Sequence, residues 1–273
     1  MNKKIGFILA LVVISLMMFS TVSAGFFDFL GGNDSSANDD NTFVVGFDAE
    51  FPPYGYKDDS GNYTGFDLEL AKEVCERNNW TFKAQPVDWD AKDAELESGS
   101  IDCIWNGFTI DGRENDYTWS NPYFDNKQIF VVKTNSGINS IADLKGKTVE
   151  TQKDSSALAA LQGDNKTIAD TFATLTEVSD YNTAFLDLES GVCDAIAMDI
   201  GVAEYNIKNK NATDDFQVLK ESITTEKYGI GFKNGNTELK DKVQSTLDEM
   251  FKDGTVLKIA QKYGISEDAL IQP

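Results

Sequence analysis

The 273-residue chain contains no histidine. That absence removes Ser-His-Asp and Cys-His nucleophilic catalysis, histidine-ligated zinc and a histidine pH switch. Cysteine is nearly as scarce. Cys75, Cys103 and Cys193 are odd in number, far apart and in no Cys-x-x-Cys pair, so they make neither a disulfide framework nor a zinc site. Arginine occurs only at Arg77 and Arg113, and 24 basic residues face 45 acidic ones, a net charge of -21. A surface of that sign repels phosphate backbones and anionic lipid, so nucleic acid is excluded as a partner. Nucleotide signatures are missing too. Gly146-Lys147-Thr148 looks like the end of a P-loop, but the earlier glycine it needs falls at Ile141. Gly229 to Gly235 has one residue too many for a dinucleotide fingerprint and reads as strand and turn. Asp58-Asp59-Ser60-Gly61-Asn62 lacks EF-hand spacing and reads as a hairpin turn, so no metal is expected.

What is present is ordinary for a globular protein: 41% hydrophobic, 25% charged and 11% aromatic residues. The length allows one large or two medium domains. Lys3 and Lys4 precede an apolar run from Ile5 to Phe19 and then Val22-Ser23-Ala24, the order of an export signal over residues 1–24. The same run is near the length that spans a bilayer, so an uncleaved anchor is the alternative. No cysteine lies near residue 24, which excludes a lipoprotein anchor. Residues 25–41, ending in Gly31 to Asn41, have linker composition. Either fate gives an exported protein, periplasmic or at the cell surface.

From Thr42 onward short apolar runs alternate with helical periods, the pattern of βα units on a largely parallel sheet. Phe43 to Phe47 reads as a first strand. Asp67 is placed to cap a helix carrying Leu68, Ala71, Val74 and Cys75 at helical spacing. A helix from Asp90 to Ser98 ends at Gly99 and leads into a strand from Ile101. Glu97-Ser98-Gly99-Ser100-Ile101-Asp102-Cys103-Ile104 is echoed by Glu189-Ser190-Gly191-Val192-Cys193-Asp194-Ala195-Ile196. The repeated order of helix end, glycine cap and strand predicts two similarly built α/β lobes with a cleft between them. Ligands of such sheets bind beyond the carboxyl ends of strands, here Asn106-Gly107-Phe108-Thr109 and Met198-Asp199. Groups suited to binding lie nearby. Arg113 can clamp a carboxylate, and Ser155 and Ser156 begin a predicted helix where they either cap it or receive an anion. Asp199 either caps a helix or accepts an ammonium. Phe51, Tyr54, Trp89 and Trp105 sit at loop or strand-end positions, as aromatic walls or as core.

Gly65-Phe66-Asp67-Leu68-Glu69-Leu70, followed by Val74-Cys75 and Asn78, resembles the signature of the polar amino-acid family (family 3) of extracellular solute-binding proteins that serve ABC importers. Val45 to Tyr54, Val87-Asp88-Trp89, Asp102 to Thr109, Ser120-Asn121-Pro122-Tyr123, Leu144 to Lys147 and Asp253-Gly254-Thr255 are similar to family segments in the family's order. The resemblance spans Thr42 to Gly264. It implies the two-lobed α/β periplasmic-binding-protein fold of type II, each lobe a largely parallel sheet flanked by helices, with two hinge strands crossing near Tyr123 to Asn126 and Thr225 to Tyr228. Residues 42–124 and 227–273 would form lobe 1 and residues 125–226 lobe 2. It also implies a monomer without cofactor or catalysis that closes on a free polar amino acid and delivers it to ABC permease subunits. By the same resemblance Arg113 clamps the ligand carboxylate beside Thr109 and the Ser155 or Ser156 hydroxyl. Asp199 takes the ammonium, Asn106 and Gly107 contact the zwitterion, Phe51 and Trp89 sandwich the side chain, and Asp48 lines its pocket. The chain departs from the family where Thr109 and Arg113 are four residues apart instead of five, and where Asp154 stands at a usual glycine. A same-fold lyase using Glu50 or Glu150, and a ligand-sensing ectodomain, are the rival readings. Asp48 and Glu50 favour a cationic side chain, with glutamine- and cystine-like ligands as alternatives.

Overall fold

A computed structural model of the protein describes residues 41–209 and 212–273. The expected export signal and nearly all of the linker lie outside the described residues. The strands are β1 (Thr42–Phe47), β2 (Glu50–Phe51), β3 (Gly55–Lys57), β4 (Tyr63–Thr64), β5 (Thr81–Pro86), β6 (Cys103–Thr109), β7 (Thr118–Trp119), β8 (Phe124–Lys133), β9 (Thr148–Gln152), β10 (Thr174–Val178), β11 (Ala195–Asp199) and β12 (Phe216–Phe232). The α-helices are α1 (Phe66–Asn78), α2 (Lys92–Ser98), α3 (Ser156–Gln162), α4 (Lys166–Ala169), α5 (Tyr181–Ser190), α6 (Ile200–Asn209), α7 (Thr237–Lys252) and α8 (Thr255–Lys262). No helix among the described residues is long and apolar enough to cross a membrane.

Hydrogen bonding runs through one sheet in the order β10-β9-β11-β8-β12-β6-β1-β5, with β7 beside β12. Its two flanks, β10-β9-β11 and β6-β1-β5, are parallel. The central strands β8 and β12 are antiparallel to each other and to their neighbours. This is the two-lobed arrangement: each parallel flank is the sheet of one lobe, and the long central pair crosses from one to the other. Asp58 turns the small β3-β4 hairpin by accepting the Ser60 and Asn62 N–H groups at 2.9 and 2.8 Å, as its composition predicts.

Both faces of the sheet are covered, which explains why its strands read as continuous apolar runs. In β1, Phe43, Val45 and Phe47 enter the core under α1, α7 and α8, while Val44 enters a second core with Leu96, Ile104 and Phe108. In β11, Ile196 and Met198 face one side and Ala195 and Ala197 the other, against Leu144, Leu161 and Leu219. The predicted helical stripe Leu68, Ala71, Val74 and Cys75 is buried on α1, and α7 buries Val243, Leu247 and Met250. All three cysteines are free and buried, and burial raises the Cys75 thiol to about 12.

Two expectations shift. The Ile101 strand begins at Cys103 and runs on to Thr109, because Ile101 and Asp102 complete the turn after Gly99. Asp67 does not cap α1. Gly65 occupies that position, and Asp67 lies inside the first turn, fully buried, accepting Gly107 N–H at 2.6 Å and the Tyr123 hydroxyl at 2.8 Å. A partner 40 residues away thus outweighs a local cap. Burial raises the Asp67 carboxyl to about 7.

Candidate ligand-binding cleft

Four parallel strands deliver their carboxyl ends to one place. Thr109 ends β6, Gln152 ends β9, Asp199 ends β11, and Asp48 follows β1. A small, nearly closed cavity is lined there by Phe51, Trp89, Asn106, Gly107, Thr109, Arg113, Gln152, Ser155, Ser156 and Asp199. Nine of the ten sequence-predicted site residues therefore meet around one space, and Gln152 joins them. Asp48 lines the adjoining cavity of about 350 Å³ with Glu50, Val87, Asp88, Trp89, Asp90, Lys153, Ser179 and Asp180. Trp89 is the wall that the two cavities share.

The cationic end is built by a tight turn after β6. Arg113 N–H returns to Ile110 O at 2.8 Å, and the guanidinium folds back over the Phe108 ring at 5.3 Å. Its Nη1 donates to Thr109 O at 3.3 Å and its Nη2 to Asp154 O at 3.1 Å across the cleft. Arg77, by contrast, is engaged in surface ion pairs with Glu73 and Asp253 at 2.8 and 2.7 Å. Gly107 is held by a close approach. Its φ is +56°, and a Cβ there would meet Phe51 at 2.9 Å and Tyr228 at 3.2 Å. Asn106 beside it has both amide atoms buried without a hydrogen-bond partner while lining the cavity. Such a group calls for an occupant that can both donate and accept.

At the opposite pole lies an arrangement sequence reading missed. Asp199 stands directly across from Gln128, and Asn126 directly across from Glu226, on the neighbouring strands β11, β8 and β12. The Asn126 and Gln128 amide nitrogens each donate to both acids: to Asp199 Oδ1 at 2.7 and 2.8 Å and to Glu226 Oε1 at 2.7 Å each. The Tyr228 hydroxyl also donates to Asp199, and the Ser156 hydroxyl to Glu226. Both acids are 4% exposed, and neither has a cationic partner among the described residues. Burial first, and then the charge of Glu226, raises the Asp199 carboxyl well above the usual range. The two acids are thus held together by neutral donors alone. Asn126 Oδ1 and Gln128 Oε1, both buried and unpartnered, add to the excess of acceptors.

The two lobes touch across the cleft through side chains of the chain itself. Gln152 donates to Asp48 at 2.6 Å, and Asn182 donates to Glu50. Lys92, 1% exposed and 5.1 Å from the Trp89 ring centroid, pairs with Asp154. Tyr54 reaches α6 so closely that a Cβ on Gly201 would lie 2.4 Å from its hydroxyl. Burial raises the Asp48 carboxyl to about 6. Ser155 is committed to structure, capping α3 by accepting Leu158 N–H at 3.1 Å. Glu150, a candidate of the rival enzyme reading, is buried on β9 and does not line the cavity; Glu50 is exposed and lines the second one.

A two-lobed α/β fold with a polar cleft at the strand ends defines a ligand-capturing protein, and comparison with known proteins gives the family. The sequence model of bacterial extracellular solute-binding proteins, family 3, matches residues 43–266, and the chain belongs to that family. It is 31% identical over 225 residues to the L-cystine-binding protein TcyJ of Escherichia coli, covering 81% of this chain and 82% of the relative. It is 27% identical over 262 residues to the arginine-binding extracellular protein ArtP of Bacillus subtilis, covering 95% and 98%. Among solved structures, an ABC uptake transporter substrate-binding protein from Streptococcus pneumoniae with bound histidine superimposes with a TM-score of 0.82 at 32% identity, over 89% of this chain and 100% of that one.

Proposed function

We propose that the protein captures a free amino acid in this cleft by closing its lobes around it and presents the closed form to an ABC permease. The observation that carries this reading is the polarity of the cavity. A guanidinium suited to bidentate carboxylate binding stands at one end, and a buried pair of acids without a counter-cation stands at the other. A zwitterion satisfies both ends at once. Arg113, Thr109 and Asn106 serve it from lobe 1, residues 42–124 and 227–273; Ser156 and Asp199 serve it from lobe 2, residues 125–226. Phe51 and Trp89 flank the ligand side chain. Asp48, Glu50, Asp88, Asp90 and Asp180, set against Lys153 alone in the second cavity, favour a cationic side chain. The relatives are named for cystine, arginine and histidine, which is consistent with a polar ligand. The absence of histidine and the position of Glu150 support binding over catalysis. The same reading makes the protein an exported monomer, free or N-terminally anchored.

Hydrogen bonds to charged groups contribute about 1.5 to 3 kcal/mol each, so loss of a bidentate clamp costs roughly 100-fold in affinity or more. Calorimetric titration with L-arginine, L-lysine, L-histidine, L-glutamine and L-cystine should find a tight ligand for the native protein and none of comparable affinity for Arg113→Ala. Equal affinity in the two proteins contradicts the site.

A further inference from the structure

Asn126 and Gln128 each carry one amide nitrogen with two hydrogens, and each gives one hydrogen to Asp199 Oδ1 and the other to Glu226 Oε1, at 2.7 to 2.8 Å. The two carboxylates are therefore held against the same two nitrogens, across β11, β8 and β12. No group packed around them balances two negative charges. Tyr54, Tyr181 and Tyr228, buried about Asp199, are phenols, and Ser156 on α3 brings a hydroxyl. The helix α6 that follows Asp199 brings an exposed acid, Glu204, and β9 brings another acid, Glu150, which faces Asp187 and Cys193. Asp125, Lys127 and Lys227 are exposed on the opposite face of β8 and β12, because successive side chains of a strand alternate. Among the residues lining the cavity the one base is Arg113, which belongs to the carboxylate pole. Two like charges confined in one buried place do not both ionise at the ordinary pH of a carboxylate. The raised Asp199 carboxyl agrees with this, through burial first and then the charge of Glu226.

We propose that Asp199 and Glu226 hold one proton between them in the unliganded cleft and release it to solvent when the ligand ammonium arrives, so that capture is linked to pH. This rests on the reading of the cleft as an amino-acid site and adds the regulation of that site. The charges balance. Before binding, two carboxylates and one proton leave a single negative charge; after binding, two carboxylates and one ammonium leave the same. The low-dielectric end of the cleft thus exchanges one cation for another and never carries two bare charges. The two acids have different parts in this. Asp199 lines the cavity and meets the ammonium, whereas Glu226 does not line it and acts through its charge on Asp199. The sign of the linkage follows. On the acid side of the pair's titration the ligand must displace a proton, so affinity falls as pH falls; on the alkaline side no proton is displaced and affinity is level.

Titration calorimetry in phosphate and in bis-Tris, buffers whose own heats of ionisation differ, counts the protons released per ligand bound. The probe is whichever of L-arginine, L-lysine and L-glutamine binds most tightly. The native protein should release roughly one proton at about pH 6 and less toward about pH 8, with affinity falling up to about tenfold per pH unit on the acid side. Glu226→Gln leaves Asp199 without its charged neighbour, so release at about pH 6 should drop at least twofold and the fall in affinity should begin about one pH unit lower. Asp48→Asn removes the other raised acid of the cleft and should leave the release in place. The native protein decides even if Glu226→Gln fails to fold: no release anywhere between about pH 5 and 8 overturns the proposal. Release that persists undiminished in Glu226→Gln, or that vanishes in Asp48→Asn, overturns it as well. Native protein that binds none of the three amino acids contradicts the amino-acid reading itself and, with it, this inference; native protein that binds one of them without releasing a proton contradicts the shared proton only.

Discussion

Residues whose chemistry was visible in the chain were those with few competitors. Arg113 stood out as one of two arginines, and Asp199 because it ends a strand in the second of two matching segments. Glu226 did not. In a chain with 45 acids nothing local marks it, and its meaning comes from the pairing of β12 with β8, which sets it opposite Asn126 one hundred residues away. Asp67 is opaque in the sequence for the same reason, since its partners Gly107 and Tyr123 are distant along the chain. The buried Asp67 makes a prediction at this scale. Its folded carboxyl titrates near 7 against about 4 in an unfolded chain, so between those values the folded state binds the extra proton. The stability Asp67 contributes is therefore full below pH 4 and lost as pH rises toward 7, at up to about 1.4 kcal/mol per pH unit. Asp67→Asn should flatten the melting-temperature profile over that window relative to the native protein; parallel profiles contradict the buried-acid account.

Elements were more legible than their joints. The helical stripes of α1 and α7 and the strand-loop-helix order around β6 and β11 follow from periodicity, because both faces of the sheet are covered and each helix buries one stripe. The length of β12, 17 residues crossing from one flank to the other, was not visible, since a long two-sided strand has no single period. The joint across the cleft was hinted at only by an oddity, Asp154 in place of glycine. Asp154 adopts φ +53°, a conformation that glycine accepts more readily, and in return pairs with the buried Lys92 of the other flank. Asp154 is 48% exposed, so solvent screens the pair and its effect is modest. Asp154→Gly should relieve the backbone and remove this latch, giving roughly three- to tenfold faster release of bound amino acid in stopped-flow fluorescence. Unchanged release would show that Lys92 and Asp154 do not hold the lobes.

At the scale of the molecule, one sheet passes through both lobes and two strands carry the connection, so the cleft can change width without breaking either core. On the proposed reading, a ligand that touches Arg113 on one side and Asp199 on the other shifts the balance toward the closed form, because that form satisfies both of its charges. Binding to the folded state alone also raises its stability, by about 2.7 kcal/mol at one hundred times Kd, which for a chain of this size is a melting shift on the order of 5 to 10 °C. The most direct measurement is therefore thermal melting of protein that has been unfolded and refolded to remove any carried amino acid, against each common amino acid and L-cystine. The account predicts a shift of several degrees with one or a few polar amino acids, foremost those with cationic side chains. No shift with any of them would contradict the claim that this cleft is built for a free amino acid.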